Sequence, residues 1–357
     1  MNLKFSKAIE ADARVLPLCV CLTFLLLGNA SCAANGFPGP IATLIELYSR
    51  ADVVIYAEVV KAESGRAGQT SKLKILSEIK TGKRKLPTEI DAYVQFGSHW
   101  PRPFKANTKT VTFLVFDEEL KKYVTIDSRT GLDVSDDSVG KFYVQQFSKL
   151  PQILEEKNKR KLMFAKIGWY VELTLRPPSR AYGAFGITSG WASASRKKLL
   201  TEHESQSAAN LLTKDQKDLI CQTLAKEAPS YSGSRIVDLL KDYPSDDLNH
   251  YLIQSFKRSL MFDSAIPIVG NSIARKAFSI LPKRLGFEMP KSLQGKYDDF
   301  LARRSFYTSK IHNKKNSGYS DEEKAKIHDA LVRLWRDLAT SYLNIPEVPN
   351  FKRLYQR

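Results

Sequence analysis

The spacing of hydrophobic and polar residues changes once along this chain, near residue 137. Before that point the patterned segments are short and strand-like. Asp52 to Val60 is β-branched and partly continuous, and Leu73 to Ile79 alternates apolar and polar residues as a half-exposed strand does. Thr81-Gly82 breaks that run. Ile90 to Phe96, Thr110 to Phe116 and Tyr123 to Ile126 read as further strands, the last closed by Arg129-Thr130-Gly131. A loop at Gly36 to Pro40 and a short helix at Ile41 to Arg50 lead into this block. About five strands separated by turn signals predict a small antiparallel barrel or sandwich over residues 36–135.

From residue 137 onward the apolar residues recur at three and four, the helical period. Val139, Phe142, Tyr143, Gln146, Phe147, Leu150 and Ile153 form one such stripe. Leu162 to Leu175 reads two ways. Tyr170 to Leu175 could be a strand, but Leu162, Met163, Ile167, Tyr170, Val171 and Thr174 also share a helix face, and the helix is favoured. Pro177-Pro178 ends that element, and Ser179 to Ile187 starts the next. Thr213 caps a run through Leu224, Ile236 to Leu240 stops before Pro244, and Ser245 or Asp246 caps Leu248 to Leu260. Ala265 to Leu281 is apolar but interrupted by Pro267 and Gly270. Ser320 caps a last long helix whose first turn carries Asp321, Glu322 and Glu323, where the helix dipole favours anions. The expected fold class is therefore α+β: a small antiparallel β-barrel followed, over residues 137–357, by a mostly α-helical region. Its capped helices in succession are similar to a HEAT-type array, although no clean repeat period is present.

One segment ahead of the barrel bears on location. Val15 to Leu27 is uncharged and apolar, preceded by Lys4, Lys7 and Arg14 and followed by the small residues of Gly28 to Ala34. These are the three parts of a secretory signal peptide, and the run is too short to span a bilayer, which takes about 20 residues. Residues 1–32 are thus expected to be removed and the chain exported, to a periplasm, a membrane anchor or the medium. Ser31 and Ala33 suit ordinary signal peptidase, whereas Ala30-Ser31-Cys32 is similar to the end of a lipoprotein box, with Asn29 where Leu is usual. In that second case Cys32 is lipidated and tethers the chain to a membrane. Cys19 and Cys21 lie in the signal, so a disulfide-rich scaffold is excluded and Cys221 reads as a small buried hydrophobe. No glycosylation sequon follows the signal, which fits a bacterial source.

Charge narrows the choice of partner. The chain carries a formal net charge of +17, and the surplus is weighted toward its latter part. Basic and acidic residues number 17 and 14 in 36–150, 21 and 14 in 151–290, and 14 and 8 in 291–357. An exported basic protein is drawn to anionic lipid head groups or envelope polymers, while export removes it from the genome and so argues against nucleic acid. A high pI also serves solubility alone.

The search for chemistry is largely negative. None of His99, His203, His250, His312 and His328 has a partner at metal-binding spacing, so no metal or other cofactor is expected. Gly186 to Gly190 is not a nucleophile elbow, because its serine falls one place late. Glu118-Glu119 and Asp136-Asp137 read as turn or cap residues. Candidate binding residues are basic or aromatic. Lys83, Arg84 and Lys85 fall in a turn between strands, and Arg196, Lys197 and Lys198 precede a helix; each group also reads as a solvated loop. Lys310, Lys314 and Lys315 flank His312 in a polar loop. Trp100, Arg102, Phe104 and Lys105 combine rigid aromatics with cations in a proline-rich loop, a composition suited to sugars, phosphates or peptides; equally, Trp100 and Phe104 could plug the barrel end.

The strings ADVVIYAEVV, LKILSEIKTG and LPTEIDAYV resemble the netrin-like, TIMP-like OB-fold domain, in which a strand entering the barrel is followed by one ending in Lys-x-Gly, here Lys80-Thr81-Gly82. The resemblance spans about residues 50–130, and domains of this look occur in exported bacterial proteins. It implies an OB-like barrel. It does not carry over protease inhibition, because those inhibitors use disulfides and an amino-terminal cysteine. Together these readings point to a non-enzymatic binding or scaffolding protein of the cell envelope that recognises an anionic surface or a protein partner. The competing reading is an envelope hydrolase whose cleft residues are scattered in sequence.

Overall fold

The computed structural model describes residues 42–65, 68–95, 103–126, 131–230, 233–261, 272–312 and 318–345. The signal, Cys32, Trp100, Arg102, Lys314 and Lys315 lie outside these residues.

Helix α1 (Leu44–Arg50) opens on a capping box in which Thr43 and Glu46 satisfy each other's backbone N–H groups. Six strands follow: β1 (Val53–Ser64), β2 (Gly68–Lys80), β3 (Glu89–Gln95), β4 (Lys109–Asp117), β5 (Lys122–Thr125) and β6 (Leu132–Val134). They pair in the order β1-β2-β3-β5-β4, and β4 returns to β1, so five strands close into a barrel. β6 continues the same edge of β4 that β5 occupies.

The expected all-antiparallel barrel needs one correction. β3 and β5 run parallel, with Ala92 opposite Tyr123 and Tyr93 opposite Val124. The reason is arithmetic: strand directions cannot alternate around a ring of five, so one neighbouring pair must agree.

The partly continuous apolar run of β1 follows from its place. Val53, Ile55, Ala57 and Val59 fill the barrel with Leu73, Ile90, Ala92, Val94 and Leu114. Val54 and Tyr56 point the other way, with Val111, Phe113, Leu132 and Val134, into a core shared with the helices. Both faces of β1 are therefore dry. The described residues from Ala42 onward form one compact unit.

Helices occupy the chain from Asp137. α2 (Asp137–Ser148) is capped by Asp136, and α3 (Leu150–Leu154) follows at Pro151. The ambiguous segment is helical: α4 (Lys159–Thr174) is followed by α5 (Arg180–Arg196). The latter runs on past Ile187, through the glycines, to Arg196. Next come α6 (Glu202–Gln206), α7 (Lys214–Ala225), α8 (Ser234–Leu240) and α9 (Asp246–Met261). Then α10 (Ser272–Leu285), α11 (Lys291–Phe306) and α12 (Asp321–Leu343) complete the described fold. The last four helices surround stacked aromatics: Phe256 lies against Trp335 and Tyr342, and Phe278 against Tyr297.

Candidate binding cavity

α4 and α5 form an antiparallel pair that packs unusually closely, because α5 presents glycines to α4. A Cβ on Gly186 would stand 2.2 Å from the Tyr170 ring, and one on Gly183 would stand 2.6 Å from the Tyr170 carbonyl oxygen. Small residues are what let two helix backbones approach this closely. The turn between the helices is fixed by Ser179, whose Oγ donates to the Leu173 carbonyl at 2.7 Å.

Beside this contact the two helices and α1 flank a half-open cavity of about 600 Å³. α4 contributes Lys159, Leu162, Met163, Lys166, Ile167 and Tyr170, and α5 contributes Gly186, Ser189, Gly190, Ser193, Ala194 and Lys197. Each set is one helix face, recurring at three and four. Thr43, Ile45 and Glu46 close the side. Met163, Ile167, Tyr170, Ala194 and Ile45 are buried, and Lys159 and Lys197 are exposed. The Tyr170 hydroxyl already accepts from the Ile45 N–H at 3.4 Å.

The electrostatics are one-sided. Three lysines line the cavity against one carboxylate, and Glu46 already accepts the Thr43 N–H at 2.7 Å. Among the described residues none of Lys159, Lys166 or Lys197 forms an ion pair with an acid. Partial burial pulls the Lys166 ammonium below the usual lysine range, and Lys197 pulls it further, while Glu46 acts in the opposite sense.

The residues singled out from sequence fall in different places. Arg196 ends α5, and Lys197 and Lys198 form the turn after it, ahead of α6; Lys197 thereby reaches the cavity rim. Lys83, Arg84 and Lys85 lie on the β2–β3 link. There Arg84 stacks 3.9 Å over the Phe116 ring and ion-pairs with Glu118, while Lys83 and Lys85 are exposed. Phe104 is buried in the barrel core at 5% exposure and presents no surface. Its backbone is held by Gln69, whose amide accepts from Phe104 N–H at 2.7 Å and donates to Phe104 O at 3.0 Å. Lys105 beside it is exposed. Lys159 and Lys166 were not singled out from sequence.

The paired carboxylates act structurally. Asp136 caps α2, and Asp137 accepts from the Tyr56 hydroxyl at 3.0 Å and from Lys109 at 2.6 Å, tying α2 to the barrel. On the outer barrel face, Glu58 and Glu89 flank Lys74, and Asp91 opposes Lys72, so acids and bases sit across from one another. A second hollow of about 510 Å³ surrounds Arg284. That guanidinium already donates to Asn249 Oδ1 and to the carbonyls of Lys241, Tyr243 and Ser245. Among the described residues no group of three or more His, Cys, Asp or Glu side chains is placed to hold a metal ion, and no helix is long and apolar enough to cross a membrane.

Comparison with protein-family models, with curated proteins and with solved structures gave no match.

Proposed function

We propose that this chain is an exported, non-enzymatic binding protein of the cell envelope, and that it holds anionic lipid head groups at the α4–α5 cavity. The observation that carries this reading is the lysine trio. Lys166 is partly buried next to Lys197 with no acid of its own in ion-pair contact. A cation kept in such surroundings lowers stability unless an anion completes it. The basic surplus of the latter part of the chain adds long-range attraction to the same ligands. The outer face of the barrel, with its alternating signs, offers an anion no comparable field.

The barrel is best read as OB-like. The supporting features are five strands closed in the order 1-2-3-5-4 with a single parallel pair between the third and fifth. The helical region is read as an array in the HEAT sense, on the strength of successive packed helices. In this account the barrel is a support that carries the helical pair, and the leader, with or without a lipid on Cys32, delivers both to the envelope.

Flotation of the mature chain, without its leader and without a lipid on Cys32, with vesicles containing anionic phospholipid tests the reading. Binding is expected at low salt and is lost as salt screens it. Charge reversal at Lys159, Lys166 and Lys197 abolishes it, while the same reversal at Lys83, Lys85 and Lys105 does not. Equal loss in both variants would reduce the effect to net charge and overturn the site. Retention on isolated cell-wall polymer with no vesicle binding would overturn the lipid assignment.

A further inference from the structure

Building on that reading, we infer that the α4–α5 cavity accepts a single-chain amphiphile bearing one anionic head group, with the head at the lysines and the chain lying in the cavity toward Tyr170. The cavity changes character along its length. Lys159 and Lys197 mark one end, at the first turn of α4 and just past the last turn of α5, and Lys166 stands two turns further along α4, near enough to Lys197 for the two ammonium groups to repel. Toward the other end the lining becomes Met163, Ile167, Gly190 and Gly186, then Tyr170 and Ile45. From Lys159 to Tyr170 the helix advances eleven residues, or about 16 Å at 1.5 Å per residue.

An inorganic anion would use the lysines and leave this trough empty. A sugar polymer would need polar groups along the trough, and it offers few. Thr43, Ser189 and Ser193 supply the hydroxyls, that of Thr43 already accepting from the Glu46 N–H, and the Tyr170 hydroxyl is already engaged by Ile45. An alkyl chain needs none, and each methylene it buries adds to the affinity. Glu46, beside Thr43 on the cavity wall, disfavours a second negative charge there, which selects a ligand charged at one end only.

Calorimetric titration of the mature chain tests this with laurate, dodecyl phosphate, dodecyl maltoside, butyrate and inorganic phosphate, each below any micellar concentration. Laurate and dodecyl phosphate are expected to bind at least tenfold more tightly than butyrate and phosphate, and the uncharged maltoside to bind weakly. Lys166→Met and Ser193→Phe are each expected to weaken dodecyl phosphate binding tenfold or more. The first removes the partly buried charge and the second fills the trough from its partly exposed wall. Thermal melts check that both variants fold. If phosphate binds as well as dodecyl phosphate and Lys166→Met abolishes both, the chain-binding inference falls and the anion reading stands. If the maltoside binds as well as laurate, the trough stands and the anion reading falls. If dodecyl phosphate binds unchanged to Ser193→Phe, the ligand lies elsewhere and the inference is overturned. If no probe binds and vesicles do not either, both readings fall.

Discussion

Arg180 and Glu227 form a two-pronged ion pair, Nη1 to Oε2 at 2.6 Å and Nη2 to Oε1 at 3.0 Å, with the arginine side chain 1% exposed. Arg180 Nε also donates to the Thr174 carbonyl at 2.8 Å. One guanidinium thus joins the last turn of α4, the first turn of α5 and the segment after α7. It sets the angle at which the cavity-forming pair meets the rest of the helical region. Removing one partner of a buried pair leaves the other charge desolvated and costs about 3–5 kcal/mol. Arg180→Met, which also loses the bond to Thr174, is expected to lower the urea midpoint strongly. Glu227→Gln, at the more exposed partner, is expected to lower it less. A midpoint unchanged in Arg180→Met would show that the pair does not organise the fold.

Two glycine substitutions are expected to have opposite signs. Gly186→Ala drives a methyl into the Tyr170 ring and should cost about 1–3 kcal/mol. Gly168, in the middle of α4, has nothing within 4 Å of its would-be Cβ, so Gly168→Ala should stabilise by about 0.5–1 kcal/mol. Chemical denaturation of both variants checks the pair. Equal effects would contradict the close α4–α5 contact.

Lys166 should hold its charge at the expense of stability. Its ammonium is pulled below the ordinary 10.5, so the charged form is disfavoured in the folded state. This unfavourable contribution is present in full below the folded pKa. It fades as pH rises from there toward the unfolded value. Lys166→Met is therefore expected to raise the denaturation midpoint at neutral pH while weakening anion binding, and the gain should shrink as pH rises toward 10.5. A variant less stable at neutral pH would show that Lys166 is a packing residue.

Cys221 is fully buried and its thiol is pushed up to about 11, first by burial and against a hydrogen bond with Ser245. The peptide containing it should resist alkylation at pH 8 in the native protein and react as urea unfolds the chain. Rapid native modification, read by mass spectrometry, would contradict the packing of α7.

Several elements could be read directly from their residues. Asp52 to Val60 and Leu73 to Ile79 announce strands because burial on two faces or one leaves a distinct pattern. Thr213 and Ser320 announce helix starts because a capping box is local chemistry. α4 was ambiguous for a physical reason: Trp169, Tyr170, Val171 and Leu173 are all buried, so apolar residues surround its last turns and no single period stands out. α5 was cut short at Ile187 because its glycines look like loop punctuation, whereas they serve packing against Tyr170. α11 escaped notice because its buried positions Leu293, Tyr297 and Phe300 are diluted by charges and Gly295. The cavity lysines give little signal in sequence because Lys159 sits in the basic run Lys157 to Lys161, which looks like a solvated helix start, and Lys166 stands alone. Their signal is positional: Lys159, Met163, Lys166 and Tyr170 lie at helical spacing on α4, as Gly186, Gly190 and Ser193 do on α5, with Lys197 at its C-cap. Only the pairing of the two helices brings those stripes together.

The most direct test of the account follows individual lysines by NMR after reductive methylation with carbon-13, which keeps their charge, during titration with dodecyl phosphate. The account predicts that the resonances of Lys159, Lys166 and Lys197 move first and saturate together, with Lys83, Lys85 and Lys105 unmoved. Shifts spread over all lysines, or centred on the β2–β3 link, would contradict it.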